Sequence, residues 1–314
     1  MQDKPKSGAT RDGYGDALVE IGKDERVVVL DADLSESTRS KKFKEKYPER
    51  FINVGVAEQN LMGISAGLAA TGKIPFASTF AMFAMRGYEQ IRNSICYSEL
   101  NVKICGSHGG LATGEDGATH QCLEDFSLMR TIPNMVVLSP ADVVEAKKCV
   151  HAAYEHKGPV YIRTTRAKTP ILFDENYKFQ IGKGVIIREG KDITLIATGP
   201  MVSECIKAAE ILAADKKKVS ARVVNISTIK PIDEKLILKC AKETKAIISC
   251  EDHFIVGGLG SAVAEVLAEN KCPTTFERIA VKSFGESGKP EELYEKYGLS
   301  AKHIVKAAKK LIKS

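Results

Sequence analysis

This chain has no tryptophan, no C-x-x-C pair, no G-K-[ST] phosphate loop and no apolar run long enough to cross a membrane. Each absence excludes something. Its eight cysteines (Cys96, Cys105, Cys122, Cys149, Cys205, Cys240, Cys250 and Cys272) show neither redox-pair nor zinc-site spacing, so they read as reduced, mostly buried thiols of a cytoplasmic protein. The most apolar stretch, Leu61 to Met85, is interrupted by Thr71-Gly72-Lys73 and by Pro75, which argues against a membrane span. The N-terminal stretch MQDKPKSGATRDGYGDAL has no apolar segment of the secretory type. No G-x-G-x-x-G turn marks a dinucleotide site. The net charge of +6 comes from 46 basic and 40 acidic residues, with lysines scattered singly or in short runs such as SKKFKEKY and ADKKKVS. That is the pattern of solvated faces and of attraction for small anions, not of a nucleic-acid surface.

What is present is alternation. Apolar runs (RVVVLDADL, FINVGV, IPFAST, NVKICGSH, NMVVLSP, PVYIRTT) alternate with segments of helical spacing at 59–71, 80–98, 121–130 and 141–156. Ser139 and Pro140 are the expected cap and first turn of the last of these helices. From about 170 to 190 the rhythm lapses into a connection with a short hairpin. It resumes with DITLIATG, a helix over 201–214, VSARVVNIST, a helix over 233–243, AIISCED, a helix over 258–269 and a polar helical tail from 300. The expected fold is therefore α/β, two doubly wound domains with largely parallel sheets, over residues 9–172 and 191–314, joined by a linker at 173–190.

Ligands of open parallel sheets bind beyond the carboxyl ends of the strands, and polar residues gather there. Asp31, Asp33, Ser35 and Ser37 follow VVVL, and Glu58 follows FINVGV at the mouth of an apolar helix, where an uncompensated carboxylate is expensive to bury. GSHGGLATGEDGATHQ follows NVKIC and holds His108, Glu115, Asp116 and His120 among glycines that permit close approach to a ligand. Such a loop is either a site or a turn-rich connection. Phe80 and Phe83, three apart on one helical face, suit core packing. Arg163 and Arg166 suit phosphate or an ordinary ion pair.

In this order, LDADLSES, NVGVAEQNLMG, STFAMF, SHGGLATGEDGATHQ and SPADVVEA resemble the pyrimidine-binding domain of transketolases. EDHFIVGGLGSAVAEVL and FGESGKPEELYEKYGL resemble their C-terminal domain. The resemblance implies thiamine diphosphate as cofactor. Glu58 would hydrogen-bond N1′ of its aminopyrimidine ring and activate it, Phe80 and Phe83 would lie against that ring, and Asp33 would take a cofactor or interface role. His120 would sit near the reaction centre for proton transfer, Asp116 would bind a substrate hydroxyl, and His108, Ser37 and Arg166 would hold a sugar phosphate. Arg86 stands where larger transketolases often carry Tyr.

The family's G-D-G motif with a downstream Asn, which binds the diphosphate and its metal, has no counterpart here, because GEDG at 114–117 belongs to the glycine-rich loop. The resemblance therefore implies the C-terminal subunit of a split transketolase, with no metal ligand of its own. Mg²⁺ or another divalent ion would be bound mainly by an N-terminal partner subunit in an α2β2 complex acting on sugar phosphates. Three rivals share parts of this pattern: a deoxyxylulose-phosphate-synthase-like enzyme, a 2-oxoacid dehydrogenase β-type subunit and a non-catalytic assembly subunit. The first typically has Asp-Arg where this loop has His108-Gly109, and a dead copy is expected to lose one or more of Glu58, Asp116, His120 and the two phenylalanines.

Overall fold

The computed structural model describes residues 6–313; the first five residues of the stretch read for a leader, and Ser314, lie outside the described residues. Strands Val27–Asp31, Ile74–Phe80, Lys103–Ser107, Val136–Leu138 and Val160–Arg163 are buried at every position, as strands covered on both faces must be. They belong to a seven-stranded sheet ordered Thr228–Lys230, Val136–Leu138, Val160–Arg163, Lys103–Ser107, Ile74–Phe80, Val27–Asp31, Phe51–Asn53. All pairs are parallel except the first. A five-stranded sheet follows, ordered Thr275–Val281, Ala246–Phe254, Ile193–Ala197, Ala221–Asn225, Val185–Arg188, with only the last strand antiparallel.

Side chains alternate across a strand, so each sheet feeds two cores. Val27, Val29, Phe76, Cys105 and Ile162 pack with Tyr14 and Leu18 of helix Thr10–Ile21 and with Cys149 and Val150 of helix Val143–Glu155. Their neighbours Val28, Leu30, Ala77, Ile104 and Tyr161 face the other way. There they join Leu61 and Met62 and a cluster continuing through Ile196, Val224, Ile247 and Leu259 of the second unit. The two units thus share a core. Strand Thr228–Lys230, from the second half of the chain, adds a further tie by completing the first sheet.

Several sequence expectations need correction. Helix 141–156 begins at Val143, because Asp142 accepts from the Glu145 N–H at 2.7 Å and Glu145 in return accepts from the Ala141 N–H at 2.7 Å, a reciprocal cap. Ser139 instead donates its N–H to the Ser227 carbonyl of the second unit. The helix expected over 80–98 changes winding: α over Ala81–Ala84, 3₁₀ over Met85–Gly87, a short α piece, then π over Ile91–Cys96. Gly87 fits where a Cβ would meet Met62 at 2.8 Å and the Glu58 carbonyl at 3.1 Å, so the chain tightens to pass helix Glu58–Ala70. The helix expected over 121–130 begins at Asp125. No hairpin forms in 170–190: Lys168–Pro170 pairs with Ser7–Ala9, and Val185–Arg188, inside the expected linker, joins the second sheet.

Candidate active site

Four strands adjacent in the sheet, Lys103–Ser107, Ile74–Phe80, Val27–Asp31 and Phe51–Asn53, deliver their carboxyl ends to one edge. That adjacency makes one site from segments up to about a hundred residues apart. Glu58 occupies the first position of helix Glu58–Ala70, where the helix dipole favours a negative charge, and is 3% exposed. Its partner is Arg86, whose Nε lies 3.4 Å from a carboxylate oxygen while 73% of its side chain is exposed. Arg86 follows Phe83 by three residues, across the change from the α piece Ala81–Ala84 to the 3₁₀ turn Met85–Gly87. Phe80 and Phe83 stack with centroids 5.5 Å apart, and His120 meets Phe83 edge-on at 5.3 Å.

His108 stacks on Phe80 at 3.9 Å. Its Nε2 lies 3.3 Å from Arg11 Nη1. A guanidinium can only donate, so Nε2 accepts and Nδ1 bears the proton, which it donates to Ser107 Oγ at 2.9 Å. Burial first, then Arg11 and Arg166, pull the His108 pKa down to about 3, which keeps the ring neutral. Arg11 also donates to the Ser37 carbonyl at 3.0 Å, while its Nε is buried without a partner. Arg166 donates to Asp116 at 2.9 Å. Arg11, His108, Ser37, Arg166 and Asp116 thus form one group. Asp33 stands apart: it is exposed, its hydrogen bonds run to Asn53, and Asn53 in turn accepts from the Gly55 N–H. The fully buried Asp31 shapes this edge by accepting from the Leu34 N–H and from the hydroxyls of Thr38 and Ser40.

Arg163 takes the second of its two expected roles, the ion pair. Arg163 is buried and unavailable to phosphate. It pairs with Asp125 at 3.1 Å, lies over the Phe126 ring and donates to the carbonyls of Asp252 and Cys122, both at 2.7 Å. Asp252, at the far end of the chain, holds the glycine-rich loop: its carboxylate accepts from the Leu111 and Ala112 N–H groups at 2.8 and 3.1 Å and from Tyr294 at 2.9 Å. Gly110, at φ +87°, sits where a Cβ would collide with that carboxylate. His253 donates Nδ1–H to the Phe254 carbonyl and accepts from the Ser127 N–H at 3.4 Å, and the Phe254 N–H reaches the Leu123 carbonyl at 2.7 Å. The signal for this seam was E-D-H, three ionisable residues ending an apolar strand. Arg11 had no local signal, since it lies in the first helix and reaches the site only through packing.

This architecture, two linked parallel α/β units with a carboxylate, an aromatic pair and a histidine-bearing loop at one sheet edge, defines a class found in sequence and structure comparisons. Residues 6–171 match the family model for the transketolase pyrimidine-binding domain, and residues 182–304 that for the transketolase C-terminal domain. The chain is 50% identical over 301 residues to a putative transketolase C-terminal section from Methanocaldococcus jannaschii, covering 94% of each chain. It is 46% identical to a 6-deoxy-6-sulfo-D-fructose transketolase subunit from Clostridium sp., covering 95% of this chain and 92% of that one. Against rat transketolase it is 41% identical over 97% of its length but spans 49% of that protein. A solved structure described as a split gene transketolase, inactive beta4 tetramer, superimposes with a TM-score of 0.88 at 48% identity, covering 97% and 98% of the two chains. The chain belongs to the transketolase family. Within it, the region represented is the pyrimidine-binding and C-terminal portion.

The residues fit the pyrimidine end of thiamine diphosphate: a buried carboxylate suits a ring nitrogen that takes a proton, and a stacked phenylalanine pair suits the ring face. Among the described residues no three His, Cys, Asp or Glu side chains stand together as metal ligands, and no helix is long and apolar enough to cross a membrane.

Proposed function

We propose that this chain is the C-terminal subunit of a two-chain transketolase. With an N-terminal partner that holds the diphosphate and its divalent ion, it moves a two-carbon ketol unit from a ketose phosphate such as xylulose 5-phosphate to an aldose phosphate such as ribose 5-phosphate. An α2β2 assembly in the cytoplasm suits this reading, because a site divided between two kinds of chain needs both and twofold symmetry pairs them. The carrying observation is that one sheet edge brings together Glu58, the Phe80–Phe83 stack, His120 and the Arg11–His108–Arg166 group.

When bound, thiamine diphosphate supplies the electron sink for breaking and making a carbon–carbon bond beside a ketone. Glu58 holds the proton at the pyrimidine N1′, and the phenylalanines orient the ring. His120, edge-on to Phe83, is placed to move a proton at the substrate's hydroxyl. Asp116 accepts from a sugar hydroxyl once Arg166 turns to the phosphate, and Arg11, oriented by neutral His108, donates beside it.

The same cationic group suits a sulfonate, and the 46%-identical relative is named for a sulfonated ketose. That makes a 6-sulfonated ketose the second donor to test. The experiment mixes this chain with a diphosphate-domain partner, thiamine diphosphate and Mg²⁺, and follows ketol transfer from each donor to ribose 5-phosphate. Transfer in the mixture but not with either chain alone supports the two-chain reading, and the preferred donor separates phosphate from sulfonate. Turnover that survives Glu58→Ala would sink the catalytic assignment.

A further inference from the structure

The second unit contains a cavity of about 830 Å³ whose lining includes none of the residues gathered at the catalytic edge. It lies within the ~300–1,000 Å³ range of small-molecule sites. One wall is the C-terminal helix Ala301–Lys313, which presents His303, Lys306 and Lys310 at spacings of three and four, a single helical face. Lys282 closes it beside the exit of strand Thr275–Val281, with Lys296 and Glu286 at the rim. Charge pairing on this helix is uneven. Lys302 and Lys309 point elsewhere and are paired with Glu295 and Asp215, whereas Lys282, Lys306 and Lys310 have no carboxylate at ion-pair distance among the described residues. Glu277 is the other acidic group of the lining, and Arg278 is turned away to the Ile255 carbonyl. Lys282, Lys306 and Lys310 therefore give the lining an excess of positive charge that an anion would offset.

We propose that this cavity binds a compound carrying a diphosphate group, at a site separate from the sugar-phosphate group around Arg11 and Arg166. Lysines bind phosphate as mobile point charges, so three of them suit a polyanion better than one planar carboxylate. The cavity also adjoins the catalytic loop. Glu286 is held by Lys296 at 2.5 Å and by the Tyr297 hydroxyl at 3.1 Å. The Glu286 carbonyl accepts from Gln121 at 2.9 Å, and Ser287 donates to the Glu115 carbonyl at 2.7 Å. An anion that draws Lys296 away from Glu286 loosens the brace on residues 114–121.

The test titrates the full chain with inorganic pyrophosphate by calorimetry at fixed ionic strength, beside two variants. Lys306 and Lys310 are exposed, so K306E/K310E should melt as the unaltered chain does. Its affinity should fall by about tenfold or more, while Arg166→Ala should bind unchanged. Equal affinity in K306E/K310E, or loss in Arg166→Ala, overturns the site. If the double variant melts early, Lys282→Ala serves in its place, with the same expectation. Hydrogen exchange reads the coupling: pyrophosphate should speed exchange at residues 114–121 in the unaltered chain and not in K306E/K310E. Binding without that change overturns the link to the loop.

Discussion

At the scale of single residues, the candidate site is a set of side chains held by the partners that surround them. Glu58 is a buried carboxylate whose partner is Arg86, a costly placement that the proposed contact with the pyrimidine ring would offset. Glu58→Gln keeps the shape and removes the acid, so turnover of the two-chain complex should fall about 10²–10⁴-fold with assembly intact, measured by ketol transfer and by light scattering. Arg11 is already oriented by His108 and the Ser37 carbonyl. Arg11→Ala should raise the KM for sugar phosphates about tenfold with a smaller effect on kcat, because it removes a charge-assisted contact to the remote phosphate. An unchanged KM would take Arg11 out of the phosphate group. Glu58 was legible because an acid opening an apolar helix is locally anomalous. Arg11 was not, because an arginine near the start of a helix has ordinary local chemistry.

At the scale of elements, the glycine-rich loop shows how much of a site is made by what grips it. Its glycines were visible in the sequence, but Gly110 is required by two facts the sequence does not display, a φ of +87° and the Asp252 carboxylate against its Cα. Gly110→Ala should destabilise the chain by about 1–3 kcal/mol, read as a lowered melting temperature. A melt within error of the unaltered chain would mean that the loop accommodates a side chain there. The helix misreadings have the same origin. Ser139 is a sound cap by composition, yet Asp142 three residues on holds a stronger acceptor nearer the helix, and Ser139 is drawn to Ser227 instead. The 80–98 segment reads as one helix in the sequence, and its winding changes where Gly87 passes close to Glu58 and Met62.

At the scale of the whole molecule, the two units are joined by a shared core, a shared sheet and a buried charge network. Arg163→Met leaves Asp125 without its counter-charge inside the protein, so it should cost about 3–5 kcal/mol, seen as a lowered urea midpoint. A midpoint unchanged within error would show that the seam does not depend on that pair. Glu251 adds a pH dependence. Burial, opposed by the N–H groups of Gly260 and Leu259, raises its pKa from 4.5 to about 7, so the folded chain holds a proton that the unfolded chain releases between those values. Stability from this group is therefore fully present below about 4.5 and falls as pH rises to about 7. Glu251→Gln should lose the fall that this group adds, so chemical denaturation at pH 4.5, 6 and 7.5 should show stability declining less with pH than in the unaltered chain. The same decline in both would assign the dependence to other groups.

What the sequence determined by itself was periodic and local. Runs of β-branched and apolar residues separated by helical spacing specify parallel sheets with both faces covered, and parallel sheets place their ligands at strand ends; hence Glu58, His108 and the glycine-rich loop could be singled out. What the tertiary structure alone decided was which distant groups meet there. Arg11 from the first helix, Asp252 from the second sheet and Arg163 turned inward owe their roles to contacts between segments far apart in the chain. Such contacts leave no periodic trace, because each needs only one residue of the right chemistry at a place that packing, not spacing, selects.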